Sequence, residues 1–326
     1  MIVACAPFRI ALAGGGSDIP SFYRQYRGAV LSAAIAKYAF VVVHPYFDEQ
    51  YFHLKYSKTE LTRNRDEIQH PILREVLAML DIKQGLEIAS IADVPAGTGI
   101  GSSSAFCVAL LNALHAHCGK FVTKEQLAKE ACCVEIERLR EPIGKQDQYA
   151  TAFGGINFIE FEANDAVLVN PLPLDRDVAV ALENNLLLFF TGIQRSARAI
   201  LSEQKKSIEK SQDSVDTLRR MVDIAYRLRE TLMKGDLDSV GTALHESWLL
   251  KRSLTTQISS SHIDGLYEMA LTAGATGGKI AGAGGGGFLL LYCPVERQAA
   301  VRDALKNYEE TKFHFDAAGT RVIFAS

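Results

Sequence analysis

The sequence predicts an α+β protein with two domains. Helices and hairpins are mixed without a regular βα alternation, which argues against a doubly wound sheet. The chain of 326 residues suits two domains better than one. A segment rich in proline and charge at 172–177 separates two regions that each contain strands and helices. We therefore predict domains at 1–176 and 177–326.

The elements of the first domain follow from the spacing of apolar residues. Apolar runs predict strands at 2–13, 86–92, 156–161 and 166–172, with two more runs inside 28–47. Apolar residues at helical intervals predict helices at 66–81, 105–117 and 124–139. Thr123 and Gln126 form a capping box that predicts where the third of these helices begins.

The second domain is predicted to be richer in helix. Helical periodicity covers 196–234, 236–251 and 261–273. Apolar runs predict strands at 186–191 and 288–292, and a last helix and strand close the chain. Within the second of these helices, Trp248 is interpreted as a core residue rather than part of a site.

The composition is that of an ordinary globular protein. Hydrophobic residues make up 48% of the chain, charged residues make up 22%, and the net charge is −3. Without a basic excess we expect no nucleic-acid partner. Without a long apolar run we expect no membrane span and a cytoplasmic location. The six cysteines form no C-x-x-C pair and are predicted to be reduced thiols.

A glycine-rich segment, Pro95–Ser104, carries the strongest functional signal, and we call it the second glycine loop. Gly97, Gly99 and Gly101 permit positive φ angles, so the backbone can approach a ligand closely. Three serines then open a helix, and the free N–H groups of a helix N-terminus bind anions. Serine hydroxyls there can cap the helix, bind phosphate or ligate Mg²⁺. This chemistry predicts a phosphate site.

Two other phosphate-binding motifs are excluded by spacing. The chain contains no G-x-x-x-x-G-K-[ST] string, and after Gly97 and Gly99 the third glycine of G-x-G-x-x-G would fall at Ser102. The alternative to a phosphate site is a glycine-rich turn with a serine cap and no ligand. Two further glycine runs favour a shared ligand: the first glycine loop, 14–18, and the third glycine loop, 282–287.

The three glycine loops resemble the three signature motifs of the GHMP kinase superfamily. The motif P-x-x-x-G-[IL]-G-S-S occurs at 95–103. The strings APFRIALAGGGSD, GKQDQYATAFGGINF, FTGIQRSA and KIAGAGGGGF are similar to the D-glycero-D-manno-heptose 7-phosphate kinase subgroup. The resemblance covers nearly the whole chain. It implies a ribosomal-S5-like N-terminal domain, a ferredoxin-like C-terminal domain and an active site between them.

The resemblance also implies ATP as the phosphate donor and two catalytic residues. Asp147 matches the catalytic aspartate that accepts or orients the proton of the attacking hydroxyl. Arg9 matches a basic position that holds this aspartate ionised and stabilises charge on the γ-phosphate. The alternatives are a helix cap for Asp147 and a strand-edge salt bridge for Arg9. The implied ATP-binding residues are Pro95, Gly97, Thr98, Gly99, Ile100, Gly101, Ser102, Ser103 and Ser104.

A magnesium site is implied at Ser103 and Glu137, which match positions that hold Mg²⁺ in mevalonate-kinase-like relatives. One serine and one carboxylate suffice, because Mg²⁺ takes further ligands from phosphate and water. Glu135 is a rival for the carboxylate, although two residues away on a helix it should face elsewhere. We choose Glu137 because the Glu-Arg pair matches the family pattern better.

Acceptor binding is expected at the first and third glycine loops and at basic residues after the domain boundary. Asp18 matches a position that binds sugar hydroxyls, for which a carboxylate is a good acceptor, while a helix cap is the alternative. A phosphate on the acceptor needs a cation, although charged helix faces are usually only solvated. The predicted substrate residues are Gly16, Ser17, Asp18, Arg195, Arg198, Gly284 and Gly285, with Lys251 and Arg252 as further candidate cations.

The resemblance therefore implies an ATP-dependent kinase for the anomeric hydroxyl of a sugar phosphate, D-glycero-D-manno-heptose 7-phosphate. Other acceptors of the superfamily are alternatives: galactose, fucose, a uronic acid or mevalonate. The chain lacks the G-E-H-[TI]-D string of galactokinases. A non-catalytic sugar or nucleotide sensor is a further alternative, and Asp147, Arg9 and Ser103 together favour catalysis. An oligomer is compatible with the sequence.

Overall fold

Helices and strands are mixed along the chain, as predicted, in a computed structural model that describes residues 1–83 and 85–326. The strands are β1 (Ile2–Ala13), β2 (Gly28–Pro45), β3 (Phe52–Lys55), β4 (Thr59–Thr62), β5 (Leu86–Ala92), β6 (Ile156–Phe161), β7 (Val167–Pro171), β8 (Leu186–Phe190), β9 (Gly277–Ile280), β10 (Phe288–Tyr292) and β11 (Arg321–Ala325). The α-helices are α1 (Pro20–Tyr26), α2 (Pro71–Met79), α3 (Ser102–His117), α4 (Lys124–Cys132), α5 (Gln146–Phe153), α6 (Arg176–Asn184), α7 (Ala197–Lys210), α8 (Gln212–Met233), α9 (Asp238–Leu254), α10 (Ser261–Thr272) and α11 (Gln298–Ala304). Short 3₁₀ helices lie at Arg65–Glu67 and Val295–Arg297. Within the described residues, no helix is both long and apolar enough to cross a membrane.

The larger sheet has the order β11-β1-β2-β5-β3-β4, with β6 beside β2 and β7 beside β6. The long strand β2 serves two partners, because residues 28–33 pair with β6 and residues 39–45 pair with β5. The two apolar runs predicted inside 28–47 are therefore segments of one strand. Helix α3 packs against β1 and β2. Its apolar residues occur on every side, which is typical of a helix enclosed by protein.

The smaller sheet, β8-β10-β9, is antiparallel, and α9 packs against β9 and β10. Every residue of the central strand β10 is buried. The predicted strands at 186–191 and 288–292 are confirmed to within one residue. Trp248 on α9 is fully buried, which confirms its interpretation as a core residue.

The end of the chain returns to the larger sheet. Strand β11 pairs antiparallel with β1, and Phe315 forms an isolated bridge with Ile35. Local periodicity identifies a strand but not the sheet that it joins, so the sequence did not indicate this return. The domain boundary between 176 and 177 stays a prediction. Strand β11 falls in the predicted second domain by sequence, but it pairs with β1 of the predicted first domain.

The helix predicted at 124–139 is only partly regular. Helix α4 ends at Cys132, and Cys133–Arg138 continues as a π-helix, in which hydrogen bonds span five residues. The predicted cap is present, since the Thr123 hydroxyl accepts a hydrogen bond from the Gln126 N–H at 3.1 Å. The change to π geometry alters which side chains of this segment face the neighbouring helix α3.

Candidate active site

Residues of both predicted domains line one cavity of about 300 Å³. Its walls come from the three glycine loops, the N-terminus of α3, the start of α5 and residues of α7, α9 and β9. Residues distant in sequence therefore meet at one place. The predicted site residues that line it are Arg9, Gly16, Asp18, Gly97, Gly99, Gly101, Ser102, Ser103, Ser104, Asp147, Arg195, Arg198, Lys251 and Gly284.

The second and third glycine loops approach each other through their backbones. A Cβ atom on Gly99 would lie 2.5 Å from the Ala281 carbonyl oxygen, and one on Gly282 would lie 2.5 Å from the Gly99 carbonyl oxygen. Both glycines also have positive φ angles, +83° and +67°. Space and conformation therefore both require glycine at these two positions.

Helix α3 begins at the cavity without a side-chain cap. Its N-cap residue is Gly101, which has a φ of +79° and makes no capping side-chain bond. The N–H groups in the first turn of an α-helix have no intrahelical partner, and the helix dipole favours an anion beside them. The residues there are Ser102–Ser104, so this geometry suits the phosphates of a nucleotide.

Arg9 and Asp147 form a bidentate pair at the cavity. The guanidinium Nε and Nη2 donate to the two carboxylate oxygens, each at 2.7 Å, and Nη1 donates to the Gly99 carbonyl at 2.7 Å. Arg9 is only 3% exposed on β1, whereas the Asp147 side chain is 25% exposed. The N-cap of α5 is Lys145, so Asp147 is not the cap considered as its alternative. The pair fixes the orientation of the carboxylate beside the N-terminus of α3.

The structure places Glu135, and not the expected Glu137, beside Ser103. The hydroxyls of Ser103 and Ser104 donate to the two carboxylate oxygens of Glu135, each at 2.7 Å. Glu137 is exposed and does not line the cavity. Both glutamates lie on the π-helix Cys133–Arg138, whose geometry is not visible in α-helical spacing.

The surroundings of Glu135 fit a magnesium ion. Burial raises the pKa of this carboxyl, and hydrogen bonds from Ser103, Ser104 and Gln148 oppose the rise. All three donors are uncharged, so an ionised Glu135 has no cation bound to it among the described residues. The described residues contain no cluster of three or more His, Cys, Asp or Glu side chains suited to a metal. Phosphate oxygens and water would therefore complete the ligand set, as Mg²⁺ prefers.

Asp18 connects the first glycine loop to α5. Its Oδ2 accepts from the Gln146 N–H at 3.1 Å, and its Oδ1 accepts from the Gln146 side-chain amide at 2.9 Å and from the Gly16 N–H at 3.0 Å. Asp18 thus binds the start of α5 rather than capping α1. Burial raises the pKa of its carboxyl. Ser17, by contrast, is fully buried, bonds backbone groups and does not line the cavity.

Arg195 and Arg198 line the cavity where α7 begins. The Nη1 of Arg195 donates to the Gln257 carbonyl at 3.1 Å, and Arg198 forms an ion pair with Glu141 at 3.3 Å. The Arg198 side chain is 62% exposed, so that pair is weak and its guanidinium remains available. These two residues are therefore suited to an anionic group near the rim.

The other candidate cations separate into two kinds. Arg252 pairs with Asp264 at 2.9 Å and does not line the cavity. Lys251 is buried and lines it, as does Lys279, which the sequence analysis did not single out. Lys279 is the first residue of the motif KIAGAGGGGF, and this position in the motif could have identified it from the sequence.

Some predicted residues support the loops instead of reaching the cavity. The Thr98 hydroxyl donates to the Pro95 carbonyl at 3.0 Å, and Ile100 is fully buried in the core. Gly285 also does not line the cavity. Conversely, two residues that the sequence analysis missed, Gln146 and Gln204, do line it.

Two family models match the chain. The model described as GHMP kinases N terminal domain matches residues 67–155, and the model described as GHMP kinases C terminal matches residues 228–310. The first match includes the second glycine loop, Glu135 and Asp147. The second includes both buried lysines and the third glycine loop.

Individual proteins also match along nearly their whole length. The chain is 30% identical to the D-glycero-alpha-D-manno-heptose 7-phosphate kinase of Campylobacter jejuni, with 92% of this chain and 91% of that protein covered. It is 26% identical to a galactokinase of Pyrococcus furiosus, with 97% and 96% covered. The crystal structure of a D-glycero-D-manno-heptose 1-phosphate kinase from Bacteroides thetaiotaomicron is 25% identical, has a TM-score of 0.83 and covers 100% of both chains. These matches confirm the predicted fold.

Proposed function

This chain belongs to the GHMP kinase family, whose members are small-molecule kinases, and we propose that it transfers the γ-phosphoryl group of ATP to the anomeric hydroxyl of a heptose 7-phosphate. The observation that carries the proposal is the Arg9–Asp147 pair, held at 2.7 Å in a cavity that also contains Asp18 and two arginines. One cavity thus contains a proposed base, a carboxylate that can accept hydrogen bonds from sugar hydroxyls, and cations that can bind an anionic substrate.

The reaction is an in-line phosphoryl transfer. The bond between the γ-phosphorus and the bridging oxygen of ADP breaks, a bond between that phosphorus and the acceptor oxygen forms, and the acceptor proton passes to Asp147. Arg9 fixes the Asp147 carboxylate and places a positive charge beside the transferred group. The N–H groups at the start of α3 hold the nucleotide phosphates. Ser103 and Glu135 would hold Mg²⁺, which neutralises charge on the phosphates when bound.

Further polar groups of the cavity support a polyhydroxylated and anionic acceptor. Asp18 can accept hydrogen bonds from sugar hydroxyls, and the Oε1 atom of Gln146 has no partner among the described residues. Arg195 and Arg198 lie at the rim, where a phosphate on the far end of the sugar would reach them. The names of the two heptose-phosphate relatives differ in the position of the phosphate, and we choose the 7-phosphate because that relative is the more similar in sequence, at 30% against 25% identity.

A panel of sugars tests the acceptor. Purified protein with Mg-ATP is assayed on heptose 7-phosphate, the free heptose, galactose, fucose and mevalonate, and the product is identified by ³¹P NMR. We expect a 1,7-bisphosphate and a preference for the 7-phosphate over the free sugar of at least about a hundredfold in kcat/KM. Equal rates on heptose 7-phosphate and the free heptose would refute the proposed acceptor but not the kinase activity.

Two arginine variants test how the acceptor phosphate is bound. Arg198→Ala should raise KM for the phosphorylated sugar about tenfold or more without a similar effect on KM for ATP, because it removes a charge-assisted bond. Arg252→Ala is the matched control, since Arg252 is already paired with Asp264 outside the cavity. If Arg198→Ala keeps the preference, the phosphate is bound by Arg195 or by another cation.

A further inference from the structure

Two lysines are buried in the wall of the cavity. Lys251 lies near the end of α9 and is 6% exposed, and Lys279 lies on β9 and is 3% exposed. Both side chains line the cavity. Lysine is almost never fully buried unless it is paired, so each of these side chains requires an explanation.

Neither lysine has an acidic partner in the part of the chain that the structure describes. The Lys251 ammonium donates to the carbonyl oxygen of Gly282, and no described carboxylate forms an ion pair with Lys251 or Lys279. The acidic residues of the cavity are already engaged by other groups. These engagements are Asp147 with Arg9, Glu141 with Arg198, Glu135 with two serines and Gln148, and Asp18 with Gly16 and Gln146.

The two lysines and Arg9 are three buried basic side chains in the wall of one cavity. Burial lowers the pKa of Lys251 to about 8, with a further contribution from the Arg9 charge. Burial also lowers the pKa of Lys279 well below its usual range, and Lys251 and Arg9 add to the effect. A buried charge without a partner is costly, and an anion bound among these groups would favour the charged form of both lysines.

We propose that Lys251 and Lys279 form an oxyanion subsite that binds the phosphoryl group while it is transferred. Both lysines are buried and line the same cavity as Arg9 and Asp147, whereas Arg195 and Arg198 are exposed, which separates the lysines from the arginines at the rim. The non-bridging oxygens of the transferred group carry the negative charge as the bond to ADP breaks and the bond to the acceptor forms. Fixed cations at that position stabilise the transition state more than the bound substrates.

This inference rests on the proposed kinase reaction but does not depend on which sugar is the acceptor. Lys251 also holds the Gly282 carbonyl, and Gly282 contacts Gly99 of the second glycine loop. Replacing Lys251 therefore acts on the loop contact as well as on the anion. The Lys279 ammonium makes no hydrogen bond to the described residues, although its backbone pairs with β10, so replacing the side chain reports on the anion without breaking a side-chain hydrogen bond.

The subsite is tested by binding a mimic of the transferred group. Calorimetry measures the affinity of the full chain for MgADP with and without aluminium fluoride, for wild type, Lys251→Met, Lys279→Met and the exposed-site control Lys312→Met. Methionine keeps the length of the side chain and removes the charge. We expect aluminium fluoride to tighten binding to the wild type and to Lys312→Met, and this gain to fall about 10²-fold or more in each buried-lysine variant. MgADP alone should bind Lys279→Met as it binds the wild type, whereas Lys251→Met should also bind it more weakly because the loop contact is disturbed.

Each outcome decides the inference. A wild type in which aluminium fluoride gives no gain, or a buried-lysine variant that retains the gain, overturns the corresponding assignment. Thermal unfolding identifies any variant that does not fold, and Lys279→Arg then replaces Lys279→Met, with partial retention of the gain expected because the charge remains. Absence of turnover on every sugar, with the gain intact in the wild type, would reject the acceptor and not the subsite.

Discussion

Asp18 holds the first turn of the helix that carries Asp147, the proposed base, by accepting hydrogen bonds from the backbone N–H and the side-chain amide of Gln146 at 3.1 and 2.9 Å. Gln146 is the residue immediately before Asp147. A Cβ atom on Gly144 would lie 1.9 Å from the Asp18 carboxylate, so glycine at that position permits this approach. The first glycine loop therefore contributes to the position of Asp147, in addition to the acceptor binding that we propose for it.

Asp18→Ala should lower both stability and activity. The variant loses the hydrogen bond by which Asp18 caps the start of α5, and loss of a cap costs about 0.5–2 kcal/mol. The position of Asp147 on that helix then becomes less well fixed. We expect a lower Tm and a fall in kcat of about tenfold or more, measured by thermal unfolding and steady-state kinetics. Thr123→Ala removes the cap of α4 away from the cavity and should lower Tm alone. A variant at position 18 with normal kcat would mean that the cap does not position the base.

Asp147→Asn should lower kcat about 10²-fold or more with little change in ATP affinity, because the amide cannot accept the proton of the acceptor. The amide keeps one oxygen for the Arg9 guanidinium, so the fold should persist. Rates at saturating substrates and ATP binding by calorimetry are the measurements. Near-normal kcat in this variant would remove Asp147 from the role of base.

Glu135→Gln and Glu137→Gln form a matched pair for the metal site. Glu135→Gln should raise the Mg²⁺ concentration needed for half-maximal activity about tenfold or more, because one anionic ligand becomes neutral. Glu137→Gln should leave that concentration unchanged, since Glu137 is exposed outside the cavity. Magnesium titrations at fixed ATP compare them. The reverse pattern would restore the assignment made from the sequence.

Gly99→Ala should destabilise the protein and weaken ATP binding. A Cβ atom there meets the Ala281 carbonyl oxygen at 2.5 Å, and the residue has a φ of +83°. Gly119→Ala is the control, because Gly119 has a φ of +69° with no atom within 4 Å of its Cβ position. The control reports the conformational cost alone, about 1–2 kcal/mol. Equal losses of Tm and ATP affinity in the two variants would show that the loop contact is unimportant.

The pH dependence of kcat/KM should have an alkaline limb near pH 8. The pKa of Lys251 is lowered from 10.5 to about 8, so the free enzyme loses this charge as pH rises through about 8. The same shift makes the free energy of unfolding depend on pH, because Lys251 binds its proton less readily in the folded protein than in the unfolded chain. Stability is therefore greatest above the ordinary pKa of 10.5 and is lost as pH falls through about 8. The groups that face it are Arg9 on β1, Asp18, Asp147 on α5 and Lys279 on β9.

Lys251→Arg tests the origin of that limb. Arginine stays charged throughout the range, so the limb should move to higher pH in this variant. Profiles of kcat/KM from pH 6 to about 10 for wild type and variant make the comparison. An unchanged limb would assign the titration to another group, and Lys279→Arg is the next variant.

The sequence by itself determined the fold class and most elements, and it indicated the glycines and serines of the second glycine loop that the structure places at the cavity. Glycine run lengths, apolar spacing and the serines that open α3 are local properties, and local conformation follows from them. The family motifs then indicated Arg9 and Asp147, which the structure places 2.7 Å apart although 138 residues separate them in the chain.

Only the tertiary structure decided how side chains combine across elements. The π-helix turned Glu135 rather than Glu137 to Ser103, and no periodicity in the sequence reveals a π-helix. The return of β11 to β1 and the burial of Lys279 likewise depend on non-local packing. Charge and hydrogen-bond partners are set by distances between elements, and those distances exist only once the two sheets and their helices have packed together.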